Sequence, residues 1–368
     1  MELTTSIWPL VAVLVSLAAS IPIMQSDKQP NLREFWTLLA AVIKVAIVVS
    51  LLPGVLAGGG YVFTLAEVVP GVPIQFKVDA FGIIFALIAS FLWMLTSLYS
   101  IGYMRALEEH AQTRYFASFA VAISATIGVA FAANLLTMYL FYEMLSLSTY
   151  PLVTHEQNAE AKTSGRKYLS YILGTSIGLA LPAMLIVYAL TGTLDFTVGG
   201  ILADKASPTA LGVLLVLFLF GFAKAGIMPF HGWLPAAMVA PTPVSALLHA
   251  VAVVKAGVFS IMKISVFVFG ADLLTELPIR EILCYAAATT SVLASFVAMK
   301  KNNLNARLAY STIGQLSYIV LGALLAIDAG TMGAGMHIVM HAFGKITLFF
   351  CAGAILVGAH KTDVSQLK

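Results

Sequence analysis

Long apolar runs constrain this chain more than any other feature of its sequence. Phe81–Ile101 contains no charged residue, and a stretch of about 20 apolar residues is long enough to cross a bilayer as a helix. Ten further runs are of similar length, and short polar stretches separate them. Expected helices lie near Ile7–Met24, Phe35–Leu56, Phe81–Ile101, Phe116–Ala133, Leu135–Thr154, Tyr168–Leu190, Thr209–Met228, Val244–Phe269, Ile282–Met299, Leu308–Ile327 and Met332–Gly358. Only 10% of the residues are charged, against about 25% in an average soluble domain. One core cannot hide that much apolar surface, so most of it must face lipid. The fold class expected is therefore all-α, a polytopic transmembrane bundle of about 11 helices.

Several weaker signals refine this reading. The first run has no basic segment before it, so it reads as a spanning helix rather than a cleaved signal. The split between the fourth and fifth runs rests on Ala133-Asn134 alone. The connection 57–80 contains three consecutive glycines, and its alternation around Tyr61-Val62-Phe63 fits a small hairpin about as well as an irregular loop. Cys284 and Cys351 have no metal or redox spacing and read as packing residues.

Loop charge tests the helix count independently, because cytoplasmic loops collect Lys and Arg. With the N-terminus placed outside, the inside connections hold Lys28, Arg33, Arg105, Arg114, Lys162, Arg166, Lys167, Lys300, Lys301, Arg307, Lys361 and Lys368. The outside connections hold only Lys77, Lys205 and Arg280. A miscounted helix would scramble this asymmetry. The net charge of +3 is too small to point to nucleic acid, and no nucleic-acid partner is expected.

Five lysines remain inside apolar runs: Lys44, Lys224, Lys255, Lys263 and Lys345. Lys263 is expected to snorkel to the outer surface, and Lys44 to reach a polar pocket or neighbour. An ionisable group at mid-membrane costs about 3 kcal/mol or more, so chains retain one where it lines a wet path or is paired. Glu143 is the sole carboxylate in its run. Removing an acid or an amine from water favours its neutral form, and a nearby opposite charge favours the charged form. A Glu143–Lys224 pair would thus be a switchable proton site; the bland reading is a static buried salt bridge.

Pro229 follows Lys224 by five residues and must bend or end that helix. Broken helices mark ion sites in many transporters, although Pro229 serves equally well as a simple terminator. His231 reads as a loop residue bonded to backbone, with a proton relay as the alternative. His249 and Lys255 share one run without sharing a face. His337, His341 and Lys345 are spaced by four, which aligns them on one face with a rise of about 6 Å per step. Histidine both accepts and donates protons near neutral pH, so this row suits proton transfer. Histidines at i and i+4 can also bind zinc, but no acidic or cysteine ligand lies at a matching spacing on that face, so no metal is expected.

These residues stand in runs that resemble a known family. Lys224-Ala-Gly-Ile-Met-Pro-Phe-His-Gly-Trp-Leu-Pro-Ala-Ala and Ala240-Pro-Thr-Pro-Val-Ser-Ala-Leu-Leu-His resemble the signature of antiporter-like proton-translocating subunits. Such subunits occur in respiratory complex I, Mrp-type Na+/H+ antiporters and membrane-bound hydrogenases. His341-Ala-Phe-Gly-Lys-Ile-Thr-Leu-Phe-Phe-Cys-Ala-Gly353, Tyr142-Glu-Met-Leu-Ser146 and Arg307-Leu-Ala-Tyr-Ser-Thr-Ile-Gly-Gln-Leu-Ser317 resemble three further motifs of that family.

The resemblance implies a coupled Glu143–Lys224 pair, continued along a central polar axis by Lys255, His337, His341 and Lys345, with Pro229, His231 and His249 in support. It implies N-terminal helices over 1–115, a first five-helix repeat over 116–270, and the start of an inverted second repeat over 271–368. Family members have about fourteen helices. This sequence stops at Thr362–Lys368, before the broken twelfth helix and its exit-side Lys or Glu, so an incomplete second half-channel is expected. The implied partners are other integral membrane subunits, including homologous ones, and protons, alone or exchanged for Na+. The implied location is a prokaryotic cytoplasmic membrane. Redox chemistry in other subunits or a cation gradient would drive transport. The chain offers no cysteine cluster, dinucleotide turn or haem pattern, so no cofactor is expected. The competing reading is a structural membrane subunit that has lost ion transport.

Overall fold

A computed structural model describes residues 2–367, with the side chains of 248–250 outside the described set. A short strand, β1 (Leu3–Thr5), precedes α1 (Trp8–Gln25) and α2 (Pro30–Leu56). The hairpin β2 (Gly60–Val69) and β3 (Val72–Val78) follows, then α3 (Ala80–Ala106), α4 (Gln112–Ala130) and α5 (Leu135–Val153). Next come α6 (Ala159–Thr175), which runs through a π-turn into α7 (Leu181–Thr191), and α8 (Pro208–Gly221). The remainder is α9 (Trp233–Ala236), α10 (Thr242–Ala250), α11 (Val253–Ile264), α12 (Ala271–Glu276), α13 (Pro278–Lys300), α14 (Leu304–Leu324) and α15 (Asp328–Ala359). Each expected apolar run contains helix at its expected place, and two of them are interrupted. Among the described residues, seven helices are long and apolar enough to cross a membrane by length and composition.

Polar residues at the run boundaries set where helices start. Asn134 caps α5 by accepting from Thr137 N (2.8 Å), Asn158 caps α6 through Ala161 N (2.7 Å), and Asn303 caps α14 through Ala306 N (3.0 Å). Such side chains satisfy orphan amides of the first turn, typically for about 1 kcal/mol each. Asn134 is therefore a sufficient reason for the break between α4 and α5. The connection 57–80 forms the hairpin, with β2 and β3 antiparallel and β1 parallel to β2.

Two expected helices are interrupted, and each interruption lies beside a buried lysine. After α8 only a 3-10 turn, Ala223–Ala225, continues the axis before Gly226 takes the left-handed conformation (φ 71°). The eighth run is split into α10 and α11 at Val251-Ala252, where both amides donate to the Leu247 carbonyl. Apolar periodicity could not show this second break, because the run contains no proline or polar residue at that point.

Lys263 does not reach the outer surface. It is almost wholly buried, donates to the Ala132 carbonyl (2.8 Å), lies 3.7 Å from Asp79 Oδ2 and stands 4.9 Å from the centre of the Phe196 ring. The Asp79 carboxylate, which caps α3 through Gly82 N, provides a nearer partner than solvent.

Lys44 is fully buried. Its ammonium makes no hydrogen bond among the described residues and stands 6.0 Å from the centre of the Trp93 ring. The expected polar neighbour is thus an aromatic face. Leaving a buried donor unsatisfied costs about 1–3 kcal/mol. Lys44→Met, which keeps the stem and removes the donor, is expected to raise the thermal unfolding midpoint in detergent; an unchanged or lower midpoint would show that Lys44 has a stabilising partner.

Candidate functional site

The buried titratable groups cluster where the helices break. Lys224 lies in the 3-10 turn after α8 and is completely buried. Its ammonium donates to the Tyr142 carbonyl (2.6 Å) and to Ser146 Oγ (2.7 Å), and it stands 3.2 Å from the centre of the Tyr142 ring. All three contacts come from α5, the helix that carries Glu143. A desolvated cation over an aromatic face gains about 2 kcal/mol, and two close acceptors satisfy two of its three donors.

Lys224 and Glu143 do not form a contact ion pair, contrary to the static-bridge reading. Tyr142 and Ser146 are four apart and share a face of α5, whereas Glu143 is turned by about 100° from Tyr142. Glu143 thus neighbours the Lys224 site along α5 without touching the ammonium. Both Glu143 carboxylate oxygens are shielded from solvent and accept no hydrogen bond among the described residues. An ionised carboxylate without a hydrogen-bond partner is costly in that position.

The backbone freed by the break is satisfied by neighbouring side chains. Trp233 Nε1 donates to the Ala223 carbonyl (3.0 Å), the Lys224 amide donates to Tyr142 Oη (3.2 Å), and the Met228 amide donates to Thr290 Oγ1 (3.3 Å). Irregular backbone at membrane depth persists only with such partners. Pro229 lies within this segment, between the 3-10 turn and α9. His231 lies in the loop and packs 6.4 Å from Tyr310, and its Nδ1 makes no hydrogen bond among the described residues.

The second cluster joins α11 to α15. Lys255 Nζ is hydrogen-bonded to His341 Nδ1. His337, one turn away on α15, donates from Nε2 to Gln315 Oε1 on α14 (2.8 Å), and the two imidazole rings are 6.0 Å apart and nearly parallel. Lys345 donates to the Leu308 carbonyl (3.2 Å). The row with spacing four is therefore buried or half-buried along its length, while Met332, Met336 and Met340 on another face of α15 are exposed. His249 is carried by α10, and its side chain lies outside the described residues.

The two clusters share a backbone contact. Gly257 of α11 abuts the Lys224 peptide so closely that a Cβ there would lie 2.5 Å from the Lys224 carbonyl carbon. The helix holding Lys255 is thus seated directly on the turn holding Lys224. Sequence reasoning missed Tyr142, Ser146 and Gln315 as direct partners, although all three stand inside the quoted motifs. The spacing of Tyr142 and Ser146 was the available signal.

Residues 132–367 match a family model described as the NADH:quinone oxidoreductase/Mrp antiporter transmembrane region, and residues 70–116 match one described as the NADH-ubiquinone oxidoreductase (complex I) chain 5 N-terminus. A probable K+/H+ antiporter protein of Rhizobium meliloti, its A/B component, is 32% identical over 97% of this chain and 35% of its own length. The chloroplastic NAD(P)H-quinone oxidoreductase subunit 5 of Zygnema circumcarinatum is 31% identical over 76% of this chain and 40% of its own. The chain thus spans about two fifths of the length of the curated relatives it matches. Among solved structures, an archaeal membrane-bound sulfane sulfur reductase contains a chain that superposes with a TM-score of 0.86 at 23% identity, over 98% of this chain and 73% of its own. A chain of the Mrp complex from Dietzia sp. gives 0.82 at 24% identity, over 95% of this chain and 37% of its own. At those identities the likeness is one of fold.

Proposed function

Because this integral membrane chain belongs to the NADH:quinone oxidoreductase/Mrp antiporter transmembrane family, we propose that it is an ion-translocating subunit of a larger membrane complex. Protons pass between Glu143 and Lys224, then through Lys255 and His341 toward His337 and Lys345. The observation that carries this reading is the state of Lys224. Its buried ammonium is held by Tyr142 and Ser146 in a helix break, within the field of Glu143 but not locked to it. A contact ion pair would fix both charges, whereas this spacing lets the charge on one bias the proton on the other.

The partners proposed are further integral membrane subunits, homologous ones among them. The chain carries no redox centre of its own in this reading, and redox subunits or a cation gradient supply the drive. The exchanged cation, where there is one, is Na+ or K+. The membrane proposed is the prokaryotic cytoplasmic one, with the N-terminus outside, in line with the Lys and Arg asymmetry of the loops. Residues 116–270 form the first five-helix repeat after N-terminal helices over 1–115, and 271–368 open the second. A purely structural role is disfavoured, since buried ionisable groups are often replaced by apolar ones at a gain in stability.

The test is proton movement by the parent complex in liposomes, read with an internal pH dye. Glu143→Gln preserves shape and removes the exchangeable charge; its complex is expected to assemble and to move protons no faster than the passive leak. A wild-type rate with this variant would overturn the assignment.

A further inference from the structure

A second group of titratable residues lies at one end of the bundle, outside the proposed path. Glu109 and His110 stand in the connection between α3 and α4, and His155 in the connection between α5 and α6. We propose that Glu109, His110 and His155 form a binding site for a divalent transition-metal cation of the Zn2+ class.

Three observations carry this. First, one ligand atom from each residue lies within 4.8 Å of the others. Glu109 Oε2 is 3.6 Å from His155 Nε2 and 4.0 Å from His110 Nδ1. Ligand atoms around a tetrahedral zinc are roughly 3.3 Å apart, given bonds of about 2.0–2.1 Å. A modest side-chain shift therefore closes the set.

Second, His155 is wholly buried, and neither of its ring nitrogens makes a hydrogen bond among the described residues. Buried polar atoms of that kind call for a partner. Nε2 faces the Glu109 carboxylate, and a cation between them would serve both.

Third, the tautomer of His110 is already set. His110 Nε2 lies 2.9 Å from the His155 carbonyl oxygen, which can only accept, so the proton is on Nε2. The lone pair of the neutral ring is then on Nδ1, the nitrogen nearest Glu109. Fixing a ligating imidazole through its other nitrogen is the usual outer-shell arrangement of metal-binding histidines. Arg114 donates to the same carbonyl (2.9 Å) and steadies it.

The donor set chooses the ion. Two imidazoles and one carboxylate suit zinc and its first-row neighbours, whereas Mg2+ and Ca2+ prefer oxygen alone. Three protein ligands leave a fourth position for water on the exposed side. Bound metal would join the α3–α4 connection to the end of α5, the helix that carries Glu143.

The test is equilibrium dialysis of radioactive Zn2+ against the detergent-purified protein with its natural partners, isolated through a tag without histidine. The readout is the difference between wild type and His110→Ala, with Glu109→Gln as a second variant. His110 is half exposed, and Glu109→Gln keeps the His110–His155 ring contact (4.7 Å) that His110→Ala removes. Wild type is expected to bind one more equivalent than either variant. X-ray absorption at the zinc edge should show imidazole scattering that weakens in His110→Ala. Equal binding by all three proteins, or no saturable binding by wild type, would overturn the site.

Discussion

Lys224→Met is expected to stop proton movement by the parent complex while leaving its assembly and thermal stability nearly unchanged. Methionine retains most of the lysine stem, so the space beside Tyr142 stays filled. Replacing a buried charge by an apolar side chain of similar volume is often neutral or stabilising. What disappears is the exchangeable proton beside Glu143. Lys224→Ala should stop transport equally but also cost about 2–5 kcal/mol, the usual range for truncating a long buried side chain to alanine. The pair of variants separates chemistry from packing. Pumping at the wild-type rate in Lys224→Met liposomes would remove Lys224 from the path, whatever happened to stability. Ser146→Ala, which deletes one of the two acceptors of Lys224, should slow transport without abolishing it.

Gly257→Val is expected to lower the stability of the chain and its transport together. A Cβ at this position would meet the Lys224 peptide 2.5 Å away and the Lys224 Cβ at 2.9 Å. Both belong to backbone or its first side-chain atom, so no rotamer change relieves the clash and α11 must move away. Overpacking of this kind costs about 1–3 kcal/mol or more. The displacement would also carry Lys255 away from His341, so transport should fall with stability. Thermal unfolding in detergent gives the direct measurement. Gly344→Ala on α15 is the control, since nothing lies within 4 Å of a Cβ there, and alanine is about 1 kcal/mol better than glycine in a helix interior. A Gly257→Val protein as stable as wild type would show that α11 is not seated on the Lys224 turn.

Much of the site was legible in the sequence. Glu143, Lys224, Lys255, His341 and Lys345 stood out because each is an ionisable residue in an otherwise apolar run, and the structure buries every lysine of that set. The contact within the pair was not legible: Glu143 and Lys224 were read as a coupled pair, and the structure turns Lys224 to the Tyr142 carbonyl and to Ser146. Lys263 was expected to reach water, and Asp79 and the Ala132 carbonyl hold it inside. The cluster of Glu109, His110 and His155 gave no warning, because His155 is 45 residues from His110 and neither connection alone carries a metal-binding spacing.

The sequence by itself determined where the helices lie, which end of each run is polar, and that Lys224, Lys255 and Lys345 are buried. These follow from hydropathy along a single segment measured against bilayer thickness, a quantity that needs no knowledge of neighbours. The tertiary structure alone decided that α10 and α11 part at Val251-Ala252, that Gly257 seats one cluster on the other, and that His341 rather than a carboxylate faces Lys255. Those outcomes depend on the depth and rotation of each helix against the next, which are set by packing between residues distant in the chain. No local pattern encodes them.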